Sequence, residues 1–193
     1  MNKIFLFLLL ITSFLSFGQL KDSIFIKTDI FEVVYSEKLE QPLRIKYNVL
    51  CPNGNTSRKG MNFYTENKYK TSDDEDYKNN IYDKGHLAPA ADFNCDKNTL
   101  YKTFTYLNCA LQDKYLNRGT WRLLEVYERK LAEKYNTEVE IKILYSSKSI
   151  KLNTGATIPY AFLKIIKYNG ITEKYYFINE RPKSNNFKLY LIK

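Results

Sequence analysis

Apolar and polar residues alternate strictly in the stretch LRIKYNV at residues 43–49. Successive side chains of a strand point to opposite faces, so this period of two predicts a strand with one buried face. Nearer the C-terminus, the apolar segments Ala161–Tyr168 and Ile171–Ile178 are separated only by Asn169-Gly170. Both residues of that pair tolerate the positive φ that a two-residue hairpin turn requires. The chain is therefore expected to build an antiparallel sheet.

The rest of the chain adds further strands and one helix to that sheet. Apolar residues recur at three- and four-residue spacing between Leu123 and Tyr135, which predicts a helix that begins near Arg118 with Gly119 at its N-terminal edge. Additional strands are predicted at Ile30–Tyr35, Ile81–Leu87, Thr103–Leu107, Val139–Tyr145 and Phe187–Ile192. The sequence contains no repeat and no sign of a second domain. This order of elements predicts an α+β fold with a central antiparallel sheet.

The stretch Cys51–Asn80 is polar and is interpreted as a long loop. Loops longer than about 12–15 residues are usually functional or disordered. Within it, the acidic run Asp73–Asp76 is interpreted as a solvated stretch, with a metal site as the alternative.

The N-terminus has the pattern of an export signal. An apolar run of 14 residues, Ile4–Phe17, follows a single lysine, and Gly18 comes next. A membrane-spanning helix needs about 20 residues, so residues 1–18 are predicted to be a secretory signal peptide. An uncleaved membrane anchor is the alternative. Cleavage after Gly18 leaves a single domain of residues 19–193, secreted or periplasmic, with no attachment to the membrane.

Charge and cysteine content suggest a basic exported protein. The formal net charge is +9, and removing residues 1–18 takes away one lysine and leaves +8. Such a protein attracts polyanions, including nucleic acid. The three cysteines, Cys51, Cys95 and Cys109, suggest one disulfide and one free thiol in an oxidising compartment, but their spacing does not say which two are paired. The sequence has no cluster of cysteine and histidine residues that would indicate a structural zinc site.

The chain contains one histidine, His86, in the stretch YDKGHLAPAADF at residues 82–93. Histidines are more often structural than catalytic, and that is the alternative here. The neighbours favour function: Gly85 permits a close backbone approach, Lys84 supplies a cation, and Asp83 can orient the imidazole or hold the loop. An imidazole that titrates near neutral pH is suited to accept a proton from water.

A second group of polar residues surrounds the predicted start of the helix. Asn117 and Glu125 are eight residues apart, a little over two helical turns, so both can lie on roughly one side of the helix. An N-cap is the simpler interpretation of Asn117. An amide oxygen at such a position can also bind a metal ion.

Three ordered motifs of this chain resemble the DNA/RNA non-specific endonucleases of the ββα-metal, or His-Me finger, superfamily. The stretches are DKGHLAP at residues 83–89, NCALQ at 108–112 and LNRGTWRLLE at 116–125. The family carries Asp-Arg-Gly-His-x-Ala-Pro, Asn-x-x-Pro-Gln and Leu-Asn-x-Gly-x-Trp-x-x-Leu-Glu at the corresponding places. Here Lys84 replaces the arginine, and Leu111 replaces the proline. The resemblance implies a ββα-metal finger within the α+β fold.

The resemblance also implies a role for each motif residue. His86 is then the general base that activates water, Asn117 binds the metal directly, and Glu125 holds metal-bound water. Asn108 helps to orient the site. Arg58, upstream, stabilises the phosphate, and Lys84 keeps the charge of the usual arginine without its bidentate fork.

The function implied is a secreted endonuclease that hydrolyses DNA and RNA with Mg²⁺, or alternatively Mn²⁺, and leaves 5′-phosphates. A protein inhibitor of unknown identity is a further expected partner. The alternatives are a catalytically inactive nucleic-acid-binding relative, a phosphodiesterase or toxin effector of narrow specificity, and a structural envelope protein. Retention of His86 and Asn117 favours an active nuclease over an inactive relative.

Overall fold

A seven-stranded antiparallel sheet forms the larger part of the fold. The computed structural model describes residues 22–147 and 149–192. The sheet has the strand order β1-β2-β3-β6-β7-β8-β9. These strands are β1 (Ser23–Lys27), β2 (Phe31–Ser36), β3 (Gln41–Asn48), β6 (Thr137–Leu144), β7 (Ala161–Tyr168), β8 (Ile171–Ile178) and β9 (Leu191–Ile192). The predicted central antiparallel sheet is confirmed.

The alternation in the sequence decides which face of this sheet is buried. In β3, Ile45 and Tyr47 are buried, and in β6 their partners Ile141 and Val139 are buried too. The β7–β8 hairpin turns at Asn169-Gly170, where both residues have positive φ. The turn chemistry and the period of two therefore agree with the register of the sheet.

A smaller unit of two strands and a helix packs on the buried face. It consists of β4 (Tyr82–His86), β5 (Cys109–Asp113) and a helical run, kinked at Gly119, made of α2 (Lys114–Leu116), a turn (Asn117–Trp121) and α3 (Arg122–Ala132). A short helix, α1 (Lys97–Tyr101), lies between β4 and β5. The indole of Trp121 contacts the rings of Phe162 and Phe177 at centroid distances of 5.5 and 5.6 Å. These contacts join the ββα unit to the large sheet.

Two sequence predictions about the ββα unit are wrong. The segment Thr103–Leu107 is not a strand: it forms parts of two 3-10 turns, Lys102–Phe104 and Tyr106–Asn108, and the strand begins afterwards at Cys109. The helical run starts at Lys114, not near Arg118, because Asp113 accepts hydrogen bonds from the amides of Tyr115 and Leu116. Asn117 is therefore not an N-cap.

Other boundaries also differ from the prediction. Strand β1 was not predicted, and the C-terminal strand is only Leu191–Ile192 because Phe187–Tyr190 forms a 3-10 turn. The acidic run is not simply solvated. Asp76 is buried and accepts hydrogen bonds from the Thr154 hydroxyl and the Ala156 amide at 2.6 and 3.1 Å. The run therefore fastens the long loop to the body of the protein.

The cysteine pairing left open by the sequence is decided by the fold. Cys51 and Cys95 form the disulfide, with a Cα–Cα distance of 5.5 Å, and Cys109 is a buried free thiol. The predicted signal peptide, residues 1–18, lies outside the described residues. In the part of the chain that the structure describes, no helix has the length and apolar content to cross a membrane.

Candidate active site

Strand β4 brings the histidine of the sequence motif to the start of β5. His86 pairs with Cys109, and Gly85 pairs with Ala110. A Cβ atom at Gly85 would lie 2.5 Å from Gln112 Oε1 and 2.6 Å from Gln112 Cβ. Only glycine allows the two strands to approach this closely, so Gly85 sets the position of its neighbour His86.

Asn108 fixes the chain that follows His86. Its fully buried side chain accepts a hydrogen bond from the Ala88 amide at 2.7 Å and donates to the carbonyls of Ala88 and Thr103 at 2.8 and 2.9 Å. The Asn108 carbonyl also accepts from the Leu87 amide at 3.0 Å. The side-chain hydrogen bonds of Asn108 thus all go to backbone groups, and Asn108 does not line the cavity described next.

A cavity of about 890 Å³ opens beside β4 and the helical run. Five of the six predicted site residues line it: Arg58, Lys84, His86, Asn117 and Glu125. Arg58 and Glu125 are 67 positions apart in the sequence, yet the fold brings all five residues to one concave surface.

The imidazole of His86 lies in an apolar setting at the cavity wall. Its ring centroid is 4.6 Å from that of Phe63 and 4.9 Å from that of Phe104. Nε2 is buried and has no hydrogen-bond partner among the described residues. Burial, followed by the positive charge of Arg58, lowers the pKa of His86 from 6.5 to about 3. The ring is consequently neutral and able to accept a proton.

Asp83 holds Asn117 in place from the neighbouring strand. Asp83 Oδ2 accepts a hydrogen bond from Asn117 Nδ2 at 2.9 Å, and both Asp83 oxygens accept from Arg118, at 2.8 and 2.6 Å. Burial would raise the pKa of Asp83, but the bonds from Arg118 and Asn117 outweigh it and keep that pKa low. With its amide nitrogen occupied, Asn117 has Oδ1 to offer to a ligand. Asp83 therefore orients Asn117 rather than His86.

The helical run is kinked between α2 and α3, at the turn Asn117–Trp121. Gly119 has φ −103° and ψ −108°, outside the helical region. A Cβ atom at Gly119 would lie 2.9 Å from Asn185 Oδ1. Asn117 lies two residues before the kink, where its side chain lines the cavity.

Glu125 lies on α3, near a buried ion pair. Burial raises the pKa of Glu125 to about 7, and the nearby positive charge of Lys164 opposes that rise. Lys164 Nζ is 2.5 Å from Glu128 Oε2, and both side chains are fully buried. The Tyr47 hydroxyl donates to Glu128 Oε1 at 2.8 Å. A cation in the cavity would favour the charged form of Glu125.

Lys84 lines the cavity, and its ammonium group lies near three aromatic rings. Its Nζ lies 5.8 Å from the ring centroid of Phe63, 5.9 Å from that of Tyr77 and 5.5 Å from that of Tyr106. It also forms an ion pair with Asp74, which accepts a second hydrogen bond from the Tyr106 hydroxyl. Hydrogen bonds from Lys84, then Tyr106, lower the pKa of Asp74.

Three further arginines line the same cavity: Arg118, Arg122 and Arg129. Arg129 donates to the fully buried Asp92 at 2.9 Å. Sequence reasoning missed all three, together with the roles of Asp74 and Asp83. The recurrence of arginine along one predicted helix is visible in the sequence and could have indicated a basic surface. The contact between Asp74 and Lys84 leaves no such signal in the sequence.

The donor groups at the cavity fit a hard, hydrated cation. In residues 22–147 and 149–192, no group of three or more His, Cys, Asp or Glu side chains could hold a metal ion. The cavity instead offers the Asn117 amide oxygen and the Glu125 carboxylate. Mg²⁺ keeps several waters and needs only one or two protein oxygens, so this small set is sufficient.

Two curated proteins match part of this chain in sequence. Endonuclease G, mitochondrial, of Bos taurus is 32% identical over 85 residues, which are 42% of this chain and 28% of that protein. Nuclease EXOG, mitochondrial, of Danio rerio is 36% identical over 66 residues, which are 34% of this chain and 19% of that protein. The matched segments thus span less than a third of these curated relatives.

The fold comparison covers far more of the chain. The solved structure "Crystal structure of the EndoG/EndoGI complex: Mechanism of EndoG inhibition" superposes with a TM-score of 0.75 at 21% identity, covering 88% of this chain and 80% of that one. At this identity the similarity shows the shared fold. The model of the family described as DNA/RNA non-specific endonuclease matches residues 16–189. The chain therefore belongs to the DNA/RNA non-specific endonuclease family.

Proposed function

We propose that this protein is a metal-dependent endonuclease that hydrolyses phosphodiester bonds in both DNA and RNA. One observation carries the proposal: a neutral imidazole, an oriented amide oxygen and a carboxylate meet in one cavity whose other charged lining residues are all cations. Phosphodiester hydrolysis needs an attacking water, a base and neutralisation of phosphate charge. Each requirement has a candidate residue in that cavity.

His86 is the proposed general base. Its buried Nε2 has no hydrogen-bond partner in the described part of the chain, and its lowered pKa keeps the ring neutral. The positive charge of Arg58 contributes to the low pKa of His86. A phosphate bound beside Arg58 would offset that charge. The basicity of His86 would therefore rise when substrate binds, when a proton acceptor is needed.

Asn117 and Glu125 are the proposed residues for Mg²⁺, with Mn²⁺ as an alternative ion. The Asn117 amide oxygen would bind the ion directly, and the Glu125 carboxylate would hold its water. Asp83 supports this assignment because it occupies the Asn117 amide nitrogen at 2.9 Å. When bound, such an ion supplies charge neutralisation for the phosphate and for the leaving 3′ oxygen, in keeping with 5′-phosphate products.

Cationic side chains in the cavity account for binding of nucleic acid regardless of its base sequence or its sugar. Arg58, Lys84, Arg118 and Arg122 line the cavity and can contact phosphate oxygens. Contacts to phosphate and sugar carry no base information. Lys84 would exchange its ion pair with Asp74 for one with the substrate. Catalysis on both DNA and RNA follows from this mode of recognition.

Export is the second part of the proposal. Residues 1–18 have the pattern of a signal peptide, and the Cys51–Cys95 disulfide is typical of an oxidising compartment. The curated relatives have names that assign them to mitochondria. The protein recovered from the periplasm or medium should begin at Gln19, and N-terminal sequencing would test this. A protein inhibitor is also proposed, since the structural neighbour is an EndoG/EndoGI complex that concerns the mechanism of EndoG inhibition.

The activity is tested by digestion of plasmid, single-stranded DNA and RNA with Mg²⁺, with Mn²⁺ and with EDTA. The wild type should cut all three with metal and none with EDTA.

His86→Ala should lose roughly 10²- to 10⁴-fold in rate, and Asn117→Ala should lose activity that excess Mg²⁺ restores in part. Asn136→Ala, at an exposed asparagine past the C-terminal end of α3, is the matched control. Cutting of only one substrate would support a narrow specificity instead, and binding without cutting would support an inactive relative.

A further inference from the structure

An exposed aromatic ring with two cations lies on the helical run outside the cavity. Tyr115 is 46% exposed. The guanidinium of Arg181 lies 4.5 Å from its ring centroid, and Lys114 Nζ lies 5.2 Å from it. Neither the cations nor the ring lines the cavity, and the catalytic proposal uses none of them.

Two hydrogen bonds, one on each side of Arg181 in the sequence, hold its segment in this position. Before it in the sequence, Asn179 Oδ1 accepts a hydrogen bond from the Asp113 amide at 2.8 Å. After it, the Ser184 carbonyl accepts from the Thr120 hydroxyl at 2.9 Å. The segment 179–184 is thus fastened to the end of β5 and to the turn that carries Asn117, which fixes Arg181 relative to the cavity.

Neither Lys114 nor Arg181 forms an ion pair within the described chain. No carboxylate in that part of the protein, the adjacent Glu180 included, lies within 4.0 Å of the charged groups of Lys114 or Arg181. Two like charges at one ring repel each other, and a bound anion removes this cost. The charge of Lys114 also helps to lower the pKa of Asp83, the residue that binds Arg118. The exposed cluster therefore adjoins the cations of the cavity.

We infer that Lys114, Tyr115 and Arg181 form a second subsite, which binds the phosphate backbone of a polynucleotide outside the catalytic cavity. This inference rests on the proposed nuclease function. Lys114 lies before the kink at Gly119, and the cavity-lining Arg122 lies after it. Because the subsite residues do not line the cavity, a strand must extend past the cavity to reach them. The subsite makes the enzyme favour long polynucleotides over short oligonucleotides.

Binding measurements in a His86→Ala background, which prevents cleavage, test the subsite directly. Fluorescence anisotropy would compare a single strand of about 20 nucleotides with a trinucleotide at several salt concentrations. Arg181→Gln should raise Kd for the long strand roughly fivefold to tenfold near 0.1 M salt and reduce the salt slope by about 0.7. The effect should shrink on the trinucleotide, which ends inside the cavity. Arg181→Lys should restore the salt slope because it keeps the charge, but only part of the affinity because lysine lacks the planar guanidinium over Tyr115.

Lys130→Gln is the matched control, since it removes one exposed positive charge from the last turn of α3. Its Kd should stay within about twofold of the parent, because Lys130 lines neither the cavity nor the subsite. An Arg181→Gln protein with the parent Kd and salt slope would overturn the subsite and leave the nuclease proposal standing. Equal weakening for long strand and trinucleotide would also overturn it, because Arg181 would then act on the cavity itself. A wild type that neither binds nor cuts polynucleotides would defeat both proposals.

Discussion

Replacement of Asn108 tests whether a fully buried amide positions the proposed base. Asn108→Ala removes three hydrogen bonds, at 2.7, 2.8 and 2.9 Å, and leaves the backbone groups of Ala88 and Thr103 without those partners. At roughly 1 kcal/mol for each bond, the free energy of unfolding should fall by about 3 kcal/mol. With a urea dependence of about 2 kcal/mol per molar, the unfolding midpoint should fall by roughly 1.5 M.

The same substitution should lower activity in protein that is still folded. A domain with an unfolding free energy of about 5 kcal/mol or more stays over about 95% folded after this loss. His86 is two residues from Ala88, so release of that segment should displace the imidazole. A displacement of about 1 Å can reduce the rate roughly a hundredfold. Urea unfolding followed by fluorescence and initial rates on plasmid would measure both effects.

Asn136→Ala is the control because its side chain is exposed and past the end of α3. It should change the free energy of unfolding by less than about 0.5 kcal/mol. An Asn108→Ala protein with the midpoint and rate of this control would refute the reasoning. A lower midpoint with an unchanged rate would show that Asn108 stabilises the fold without positioning His86.

Three more predictions follow from burial and charge. Because burial lowers the pKa of His86 from 6.5 to about 3, the imidazole of the metal-free protein should stay neutral in mild acid; an NMR titration of this one histidine with its midpoint at 6.5 or above would contradict this. Lys164→Met leaves Glu128 buried and unpaired, so urea unfolding should show a loss of about 3–5 kcal/mol, and adding Glu128→Gln should recover much of it. Replacing Cys51 and Cys95 with serine opens a loop of 44 residues and should cost about 2–4 kcal/mol; an unchanged melting temperature would contradict that.

Most strands could be predicted because each depends on its own alternating residues. The segments Ala161–Tyr168 and Ile171–Ile178 are strands with the predicted bounds, joined at the predicted turn. The prediction failed at Thr103–Leu107, where a short apolar run has strand-forming residues but is buried as two 3-10 turns. Periodicity cannot separate these cases in a run of five residues. The surrounding contacts decide between them.

The helix start was mispredicted for a related reason. Asn117 and Asp113 are both good N-cap residues, and each is followed by helix-forming residues. In the structure Asp113 caps the helix, which leaves the Asn117 side chain to bond Asp83 on the adjacent strand. That choice depends on β4 lying beside the helical run, which no local pattern in the sequence reports.

The sequence by itself determined which residue types are available and where the regular strands lie, because alternation, turn chemistry and motif spacing are local properties. It also determined the resemblance that groups His86, Asn108, Asn117 and Glu125. Only the tertiary structure decided which two cysteines pair, that Asp83 orients Asn117, that Asp74 binds Lys84 and that His86 is neutral. Burial and charge pairing depend on segments far apart in the chain, so these properties exist only after the segments have packed together.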